Sequence, residues 1–159
     1  MLANRCGILK QIVMSIDIRE LAFEISRNAF KNKTDKGGKP YFDHLERVAR
    51  KFKEDDFLYT IAILHDLIED CPEWNETSLR HLFTENIVST IVVLTKQKGE
   101  DYFDYIDRIN QSSWATKVKL SDLKDNMDIT RLKAITEKDF ERLSKYLKAY
   151  KILTSENDM

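Results

Sequence analysis

Residues 62–70 constrain the fold more than any other stretch of this sequence. They read Ala-Ile-Leu-His-Asp-Leu-Ile-Glu-Asp, so one imidazole and three carboxylates interrupt an apolar run. On a helix, residues three and four apart share a face, which gathers these ionisable side chains on one strip. Burying that much unpaired charge costs several kcal/mol per group as an order of magnitude, and a bound cation would offset the cost. An exposed polar stripe on an amphipathic helix has the same pattern, so this stretch alone leaves both interpretations open.

The composition favours an all-α protein of one domain. The chain has 159 residues, enough to bury a sizeable core, but only four Gly and two Pro. Few helix breakers among many Leu, Ile, Lys and Glu residues are typical of a helical domain. No linker, repeat or low-complexity tract divides the chain, so we predict a single domain over residues 1–159 with a core at about 17–153. Residues 1–15 are interpreted as a leader whose structure the pattern leaves open.

Charge and cysteine content exclude several functional classes. The formal net charge is -1, so there is no general basic field to attract nucleic acid. No apolar run is long enough to span a bilayer, and the N-terminus lacks the apolar core of a signal peptide. Cys6 and Cys71 form neither a disulfide framework nor a metal-finger spacing, which suits a reducing cytoplasm. We therefore predict a cytoplasmic protein without nucleic-acid or membrane partners, and the sequence leaves its oligomeric state open.

Hydrophobic spacing predicts about seven or eight helices. The first begins at Asp17, a capping residue with Glu20 three positions later, and should end near Lys33. The Gly-Gly pair at 37–38 then breaks the helix, and Pro40 suits the first turn of the next one.

The later helices follow from the same spacing. The segment from about Phe57 to Asp70 is apolar nearly all round, which predicts the central helix of the fold. Residues 87–95 are rich in Ile and Val and could form a strand by composition. Their spacing also fits a helix, and an isolated strand would have no partner, so we predict a helix. The last helix should open near Glu137, with a solvated basic face formed by Arg142, Lys145, Lys148 and Lys151.

Metal-ligand side chains occur at three separate places. His44 stands early on one predicted helix. His65 and Asp66 lie midway along the central helix, and Asp122 interrupts an apolar stretch. Two imidazoles and two carboxylates are a suitable shell for a divalent metal of borderline hardness, such as Mn, Fe, Co, Ni or Zn. A bound cation of this kind lowers the pKa of a coordinated water molecule.

Other polar residues near these places are candidates for catalysis and binding. Glu69 and Asp70 lie one turn after the His-Asp pair, where a carboxylate could accept or orient the proton of a water molecule. Lys96 and Lys98 could contact a phosphate, and Tyr102 and Tyr105 could stack on a nucleotide base. The alternatives are a solvated turn for the lysines and core packing for the tyrosines, and for the tyrosines both interpretations remain open.

Three short sequence motifs resemble those of a known family. They are Gly-Lys-Pro-Tyr-Phe-Asp-His at 38–44, Leu-His-Asp-Leu-Ile-Glu-Asp at 64–70, and Lys-Leu-Ser-Asp at 119–122, followed by Asn126. In order and spacing they resemble the motifs of the HD-domain metal-dependent phosphohydrolases. The nearest resemblance is to the hydrolase domain of (p)ppGpp synthetase/hydrolases and small alarmone hydrolases, over about residues 17–153.

The resemblance implies a helical HD domain and one divalent metal, commonly Mn²⁺, that supports attack of water on a phosphoester. It implies that the metal ligands are His44, His65, Asp66 and Asp122. It gives an acid/base role to Glu69 and Asp70 and a substrate contact to Asn126. We assign further substrate contacts to Lys36, Tyr41, Lys96 and Tyr102.

The predicted function is therefore hydrolysis of a phosphoester or pyrophosphate of a nucleotide, similar to (p)ppGpp 3'-pyrophosphohydrolase activity. The resemblance does not extend to a synthetase domain, so no pyrophosphate-transfer activity is implied. The alternative is a non-catalytic nucleotide-binding sensor that keeps the HD fold.

The loop before Pro40 departs from the family pattern. Asp35 and Lys36 stand where members usually carry a basic pair that contacts the nucleotide base. A carboxylate in place of a guanidinium removes five N–H donors and repels phosphate, although it could also accept from the edge of a guanine. We therefore expect that guanosine tetraphosphate is not the best substrate of this protein.

Overall fold

Residues 17–155, which a computed structural model describes, are helical and contain no β-strand. The all-α prediction is confirmed, whereas the predicted leader at 1–15 lies outside the described residues. A short helical turn, Ile129–Arg131, precedes the last helix. The nine α-helices of this part of the chain are α1 (Ile18–Ala29), α2 (Tyr41–Arg50), α3 (Asp56–Leu64), α4 (Leu67–Asp70), α5 (Glu76–Arg80), α6 (Glu85–Leu94), α7 (Tyr102–Asn110), α8 (Ser113–Asn126) and α9 (Glu137–Ser155).

Side-chain caps begin several of these helices. The Asp17 side chain accepts a hydrogen bond from the backbone N–H of Arg19, so α1 begins where the sequence predicts. Asp55 caps α3 and Ser112 caps α8 in the same way. The first helix ends at Ala29, earlier than the predicted end near Lys33, because the chain enters a turn closed by the Lys33 N–H on the Phe30 carbonyl.

The predicted central helix at 57–70 is in fact two helices, α3 and α4, separated by His65 and Asp66. The His65 Nδ1 lies 2.7 Å from the Ala62 carbonyl oxygen, the acceptor that the Asp66 N–H would use in an unbroken helix. Asp66 then adopts φ -97° and ψ 1°. The break explains why the described part of the chain has one helix more than the upper predicted number.

Helix α3 forms the centre of the core. Its residues from Thr60 to Leu64 are all fully buried, and it packs against α1, α2, α6 and α8. The Ser26 hydroxyl of α1 donates to the Ile63 carbonyl at 2.8 Å, which satisfies a polar group inside the contact. Residues 87–94 belong to α6 and not to a strand, as predicted. Within the described residues, no helix has the length and apolar character that a membrane crossing requires.

Arg108 of α7 holds the loop between α6 and α7, which carries Lys96. Its Nε and Nη2 atoms each lie 2.9 Å from a carboxylate oxygen of Glu100. The same guanidinium donates to the carbonyls of Val93 at 2.8 Å and Thr95 at 3.2 Å. The planar guanidinium thus donates to several acceptors at once and holds the loop against the end of α6.

We expect Arg108→Met to lower the free energy of unfolding by about 1–3 kcal/mol, because charge-assisted hydrogen bonds and two carbonyl acceptors lose their donor. Urea denaturation monitored by circular dichroism measures the change. The control is Arg80→Met, which removes exposed ion pairs with Glu76 and Glu85 and should cost less than about 1 kcal/mol. Equal losses in the two variants would contradict the assignment.

Candidate metal centre

The predicted metal ligands meet where α2, the α3–α4 break and α8 converge. His44, His65 and Asp122 are all buried, and a ligand atom from each lies within 4.8 Å of the others. The Asp122 Oδ1 is 3.3 Å from the His44 Nε2 and 3.6 Å from the His65 Nε2. The Asp66 Oδ2 is 3.2 Å from the His65 Nε2 and 3.8 Å from the His44 Nε2. Two imidazoles and two carboxylates thus face one another across a few ångströms.

The imidazole rings point their Nε2 atoms into this cluster. Both Nε2 atoms are buried and make no hydrogen bond, although carboxylate oxygens lie nearby. The His65 Nδ1 must carry its proton, because its neighbour at 2.7 Å is the Ala62 carbonyl, which only accepts. The His44 Nδ1 lies 2.7 Å from the Asp125 Oδ2. Metal-ligating histidines have this arrangement, with one nitrogen held by an acceptor and the other free to coordinate.

The charge of the cluster also suits a cation. Burial lowers the pKa of His44, but the nearby carboxylates of Asp122 and Asp125 outweigh it and raise that pKa to about 10. Burial likewise lowers the pKa of His65, and the charge of Asp66 more than compensates. The carboxylates therefore draw positive charge to this point. The donor set and its charge fit a divalent metal ion.

Asp122 is held by two other residues of α8. The Lys119 Nζ lies 2.7 Å from its Oδ2, and the Asn126 Nδ2 donates to its Oδ1 at 2.6 Å. Burial raises the pKa of Asp122, but the Lys119 ammonium and the two nearby histidine rings hold it well below its usual range. Asp122 is therefore a carboxylate with a defined orientation. Asn126, a predicted substrate contact, lines the cavity described below, and its side-chain amide donates to this carboxylate.

Asp125 is a residue of the site that the sequence motifs do not include. It accepts from the His44 ring and from Arg47, whose Nε lies 2.7 Å from its Oδ1. Burial raises the pKa of Asp125, but hydrogen bonds from His44 and Arg47 lower it strongly. Its position three residues after Asp122 on the same helix is the one signal that could have indicated it. Lys119 has the corresponding signal three residues before.

Glu69 and Asp70 lie on α4 and line the same cavity as the cluster. The Glu69 Oε2 accepts a hydrogen bond of 2.9 Å from the backbone N–H of Lys96. Glu69 as a residue is exposed, but partial burial of its carboxyl raises its pKa. Burial and the neighbouring charge of Asp66 raise the pKa of Asp70. A carboxylate with a raised pKa is a better proton acceptor near neutral pH.

A cavity of about 470 Å³ opens above the cluster. It contains every predicted substrate contact, namely Lys36, Tyr41, Lys96, Tyr102 and Asn126. The Tyr41 hydroxyl donates to the Asp66 Oδ2 at 2.6 Å, so this residue tethers a predicted ligand. The remaining cationic and aromatic residues of the lining are Lys119, Arg131, Arg142, Lys145, Tyr105 and Tyr146. Of these, the sequence indicated only Tyr105 as a possible pocket residue.

The predicted solvated basic face of the last helix holds for Lys145, Lys148 and Lys151, which are exposed, whereas Arg142 is only partly exposed. Arg142 and Lys145 also line the cavity, which the sequence did not indicate. Helix α9 packs against α7 and α8, which turns this side of the helix toward the cavity. The Lys145 Nζ lies 4.5 Å from the centroid of the Tyr102 ring. The far wall of the cavity is therefore both basic and aromatic.

Asp35 also lines the cavity, but its charge does not stand alone there. Its Oδ2 lies 3.6 Å from the Arg131 Nη1, and its Oδ1 accepts from the backbone N–H of Lys39 at 2.9 Å. The side chain is 13% exposed. Its negative charge is thus paired with the guanidinium of Arg131, a neighbouring residue of the lining.

Comparison with known proteins finds similarity at the level of the fold. No family model and no curated protein sequence matches this chain. A solved structure of a protein described as a metazoan ortholog of SpoT, which hydrolyzes ppGpp and plays a role in starvation responses, is similar with a TM-score of 0.74. The two sequences are 17% identical over 88% of this chain and 86% of the other. At that identity the similarity shows a shared fold. The all-α HD-domain fold implied by the three sequence motifs is confirmed.

Proposed function

We propose that this protein is a metal-dependent phosphohydrolase that cleaves a phosphoester or pyrophosphate of a nucleotide. The observation that carries the proposal is the pair of buried Nε2 atoms of His44 and His65. They make no hydrogen bond and face the carboxylates of Asp66 and Asp122 beneath a cation-lined cavity. The shared fold with a protein described as hydrolyzing ppGpp supports the same class of activity.

The proposed ligands of one divalent metal, Mn²⁺ in the first instance, are His44, His65, Asp66 and Asp122. Such an ion, when bound, acidifies a water molecule and polarises a phosphoryl oxygen. The surrounding residues fix the donor atoms. Asp125 and the Ala62 carbonyl orient the two rings, and Lys119 and Asn126 hold the Asp122 carboxylate.

Glu69 is proposed as the general base that takes the proton from the attacking water. Its hydrogen bond from the Lys96 N–H fixes the carboxylate, and its raised pKa suits proton transfer near neutral pH. Asp70, with a pKa raised by burial and by Asp66, is proposed to orient the water or return the proton to the leaving group.

The cavity lining supports a substrate that carries both phosphates and an aromatic base. Lys36, Lys96, Arg142 and Lys145 offer positive charge, and Lys and Arg side chains are common ligands of phosphate in proteins. Tyr102 and Tyr146 lie 6.2 Å apart between ring centroids and offer flat apolar surface to a base or sugar. A nucleotide di- or polyphosphate combines the two features.

Replacing Asp122 by Ala should abolish metal retention, because this buried carboxylate approaches both ring nitrogens. Elemental analysis after dialysis against Mn²⁺ and buffer measures the stoichiometry. Asp122→Asn keeps the side-chain shape beside Lys119 and should also lose the metal, which guards against a folding defect in the Ala variant. Asp107→Ala, an exposed position on α7, is the control. Stoichiometric metal in both Asp122 variants would defeat the ligand assignment.

Glu69→Gln should retain metal and lose turnover by roughly a hundredfold or more, since the amide keeps the hydrogen bond from Lys96 but cannot accept the proton. The measurement is kcat on the best available nucleotide, with bound metal determined in the same sample. Glu73→Gln, on an exposed acid close in sequence, should leave kcat unchanged. Near-normal kcat in Glu69→Gln would remove Glu69 from the mechanism.

The expectation that guanosine tetraphosphate is not the best substrate stays a prediction. One of its two reasons, repulsion of phosphate by Asp35, is weakened by the ion pair with Arg131, whereas the missing guanidinium donors are unaffected. The test compares kcat/KM for guanosine tetraphosphate with that for nucleoside di-, tri- and polyphosphates at saturating Mn²⁺. A lead of more than about tenfold for the tetraphosphate, or roughly 1.4 kcal/mol in transition-state binding, would contradict it. Binding without turnover across the panel would instead favour the non-catalytic sensor.

A further inference from the structure

The loop at 34–39, which forms one wall of the cavity, is organised around Asp35. The Asp35 N–H donates to the Lys39 carbonyl at 2.8 Å, and the Gly38 N–H donates to the Asp35 carbonyl at 3.0 Å. The Lys39 N–H donates to the Asp35 Oδ1 at 2.9 Å. One carboxylate oxygen therefore belongs to the loop itself. The other, Oδ2, faces the Arg131 guanidinium.

Arg131 joins this loop to the end of α8. Its Nη1 lies 3.6 Å from the Asp35 Oδ2, while its Nη2 donates to the Asp125 carbonyl and lies 3.1 Å from the Asp125 Oδ2. Backbone packing brings the same two segments together, because a Cβ added at Gly37 would lie 3.0 Å from the Arg131 carbonyl oxygen. The absence of a side chain at Gly37 thus permits the approach that the ion pair needs.

Asp125 carries the connection to the metal centre. Its Oδ2 is the atom that lies 2.7 Å from the His44 Nδ1, and the Arg47 Nη2 donates to the same oxygen at 3.1 Å. Three groups therefore share one carboxylate oxygen. A change in how strongly Arg131 draws on that oxygen alters the hydrogen bond that orients the His44 ring.

We propose that Asp35 is a positioning residue for the metal centre, acting through Arg131 and Asp125 on the orientation of His44. This inference rests on the proposed role of His44 as a metal ligand. Asp35 shares Arg131 with two other acids, since the Asp128 Oδ2 lies 3.7 Å from the Arg131 Nε. Without Asp35, the guanidinium is drawn toward Asp125 and Asp128, and the Asp125 Oδ2 is less available to the ring.

The proposal gives Asp35 a different purpose from repulsion of the substrate. A carboxylate that repels phosphate acts on substrate binding and leaves metal affinity unchanged. A carboxylate that holds Arg131 acts on metal affinity, and its effect disappears when Arg131 is absent. A double-mutant cycle separates the two because it isolates the interaction between the two side chains.

The experiment measures Mn²⁺ affinity of the full-length protein by competition with a metal-binding dye, with no nucleotide present. Asp35→Asn should weaken affinity by about three- to tenfold, below the 10–100-fold typical of residues that hydrogen-bond a ligand directly. In an Arg131→Met background, Asp35→Asn should change affinity by less than about twofold, since the intermediary is missing.

Two variants serve as controls for this cycle. Asp35→Glu keeps the negative charge, so its Mn²⁺ affinity should lie within about twofold of that of the original protein. A loss of affinity caused by misfolding would not be reversed by restoring the charge. Lys39→Gln, on an exposed residue of the same loop, should leave Mn²⁺ affinity unchanged. Unaltered affinity in Asp35→Asn, or an equal loss in both Arg131 backgrounds, would overturn the proposal. So would tighter binding of inorganic pyrophosphate by Asp35→Asn with unaltered Mn²⁺ affinity.

A second measurement keeps this inference separate from the proposed function. Long-range ¹H–¹⁵N spectra of the metal-free protein report the histidine ring nitrogens, and His44→Gln identifies the His44 signals. Asp35→Asn should shift the His44 Nδ1 signal and leave that of His65, which binds the Ala62 carbonyl. Absence of Mn²⁺ binding in the original protein would defeat the proposed function while this comparison still decides the link. An unshifted His44 signal would refute the link.

Discussion

The structure depends on placing ionisable groups inside an apolar core at a tolerable cost. His44, His65 and Asp122 are each no more than 3% exposed, at a depth where unpaired charge is strongly unfavourable. Each is therefore held by a second polar group: Asp125, the Ala62 carbonyl or Lys119. What remains unsatisfied is one nitrogen on each ring, and both nitrogens face the same carboxylates. The same buried polar groups therefore determine both the stability of this region and its capacity to bind a cation.

Helix α8 supplies most of that compensation. Lys119, Asp125 and Asn126 each lie three or four residues from Asp122, so they surround it on one side of the helix. Other residues of α8, among them Ala115, Val118 and Leu123, are fully buried against neighbouring helices. A helix that serves both the core and a polar site does not show a simple amphipathic pattern. This is why the motif residues Asp122 and Asn126 are visible in the sequence while the role of Asp125 is not.

The cavity above the cluster is assembled from segments that are remote in the chain. The loop at 34–39, helix α4, the segment around Lys96 and helix α9 each contribute lining residues. Arg108 holds the third of these segments, and Arg131 links the first to the end of α8. The walls thus owe their position to arginines that bridge carbonyls and carboxylates. Arrangements of this kind suit an anionic ligand, because cations already in place need little rearrangement to receive it.

The sequence by itself determined the all-α class, the order of the helices and the residue types at the centre of the site. Apolar periodicity encodes which side of a helix is buried, and three sequence motifs in the expected order were enough to indicate His44, His65, Asp66 and Asp122. It did not determine the break between α3 and α4, because that depends on a side chain competing for a backbone acceptor. Only the tertiary structure decided that Arg142 and Lys145 line the cavity and that Asp35 faces Arg131. Periodicity does not specify which neighbour covers a polar face, and contacts between remote residues arise from how the helices cross.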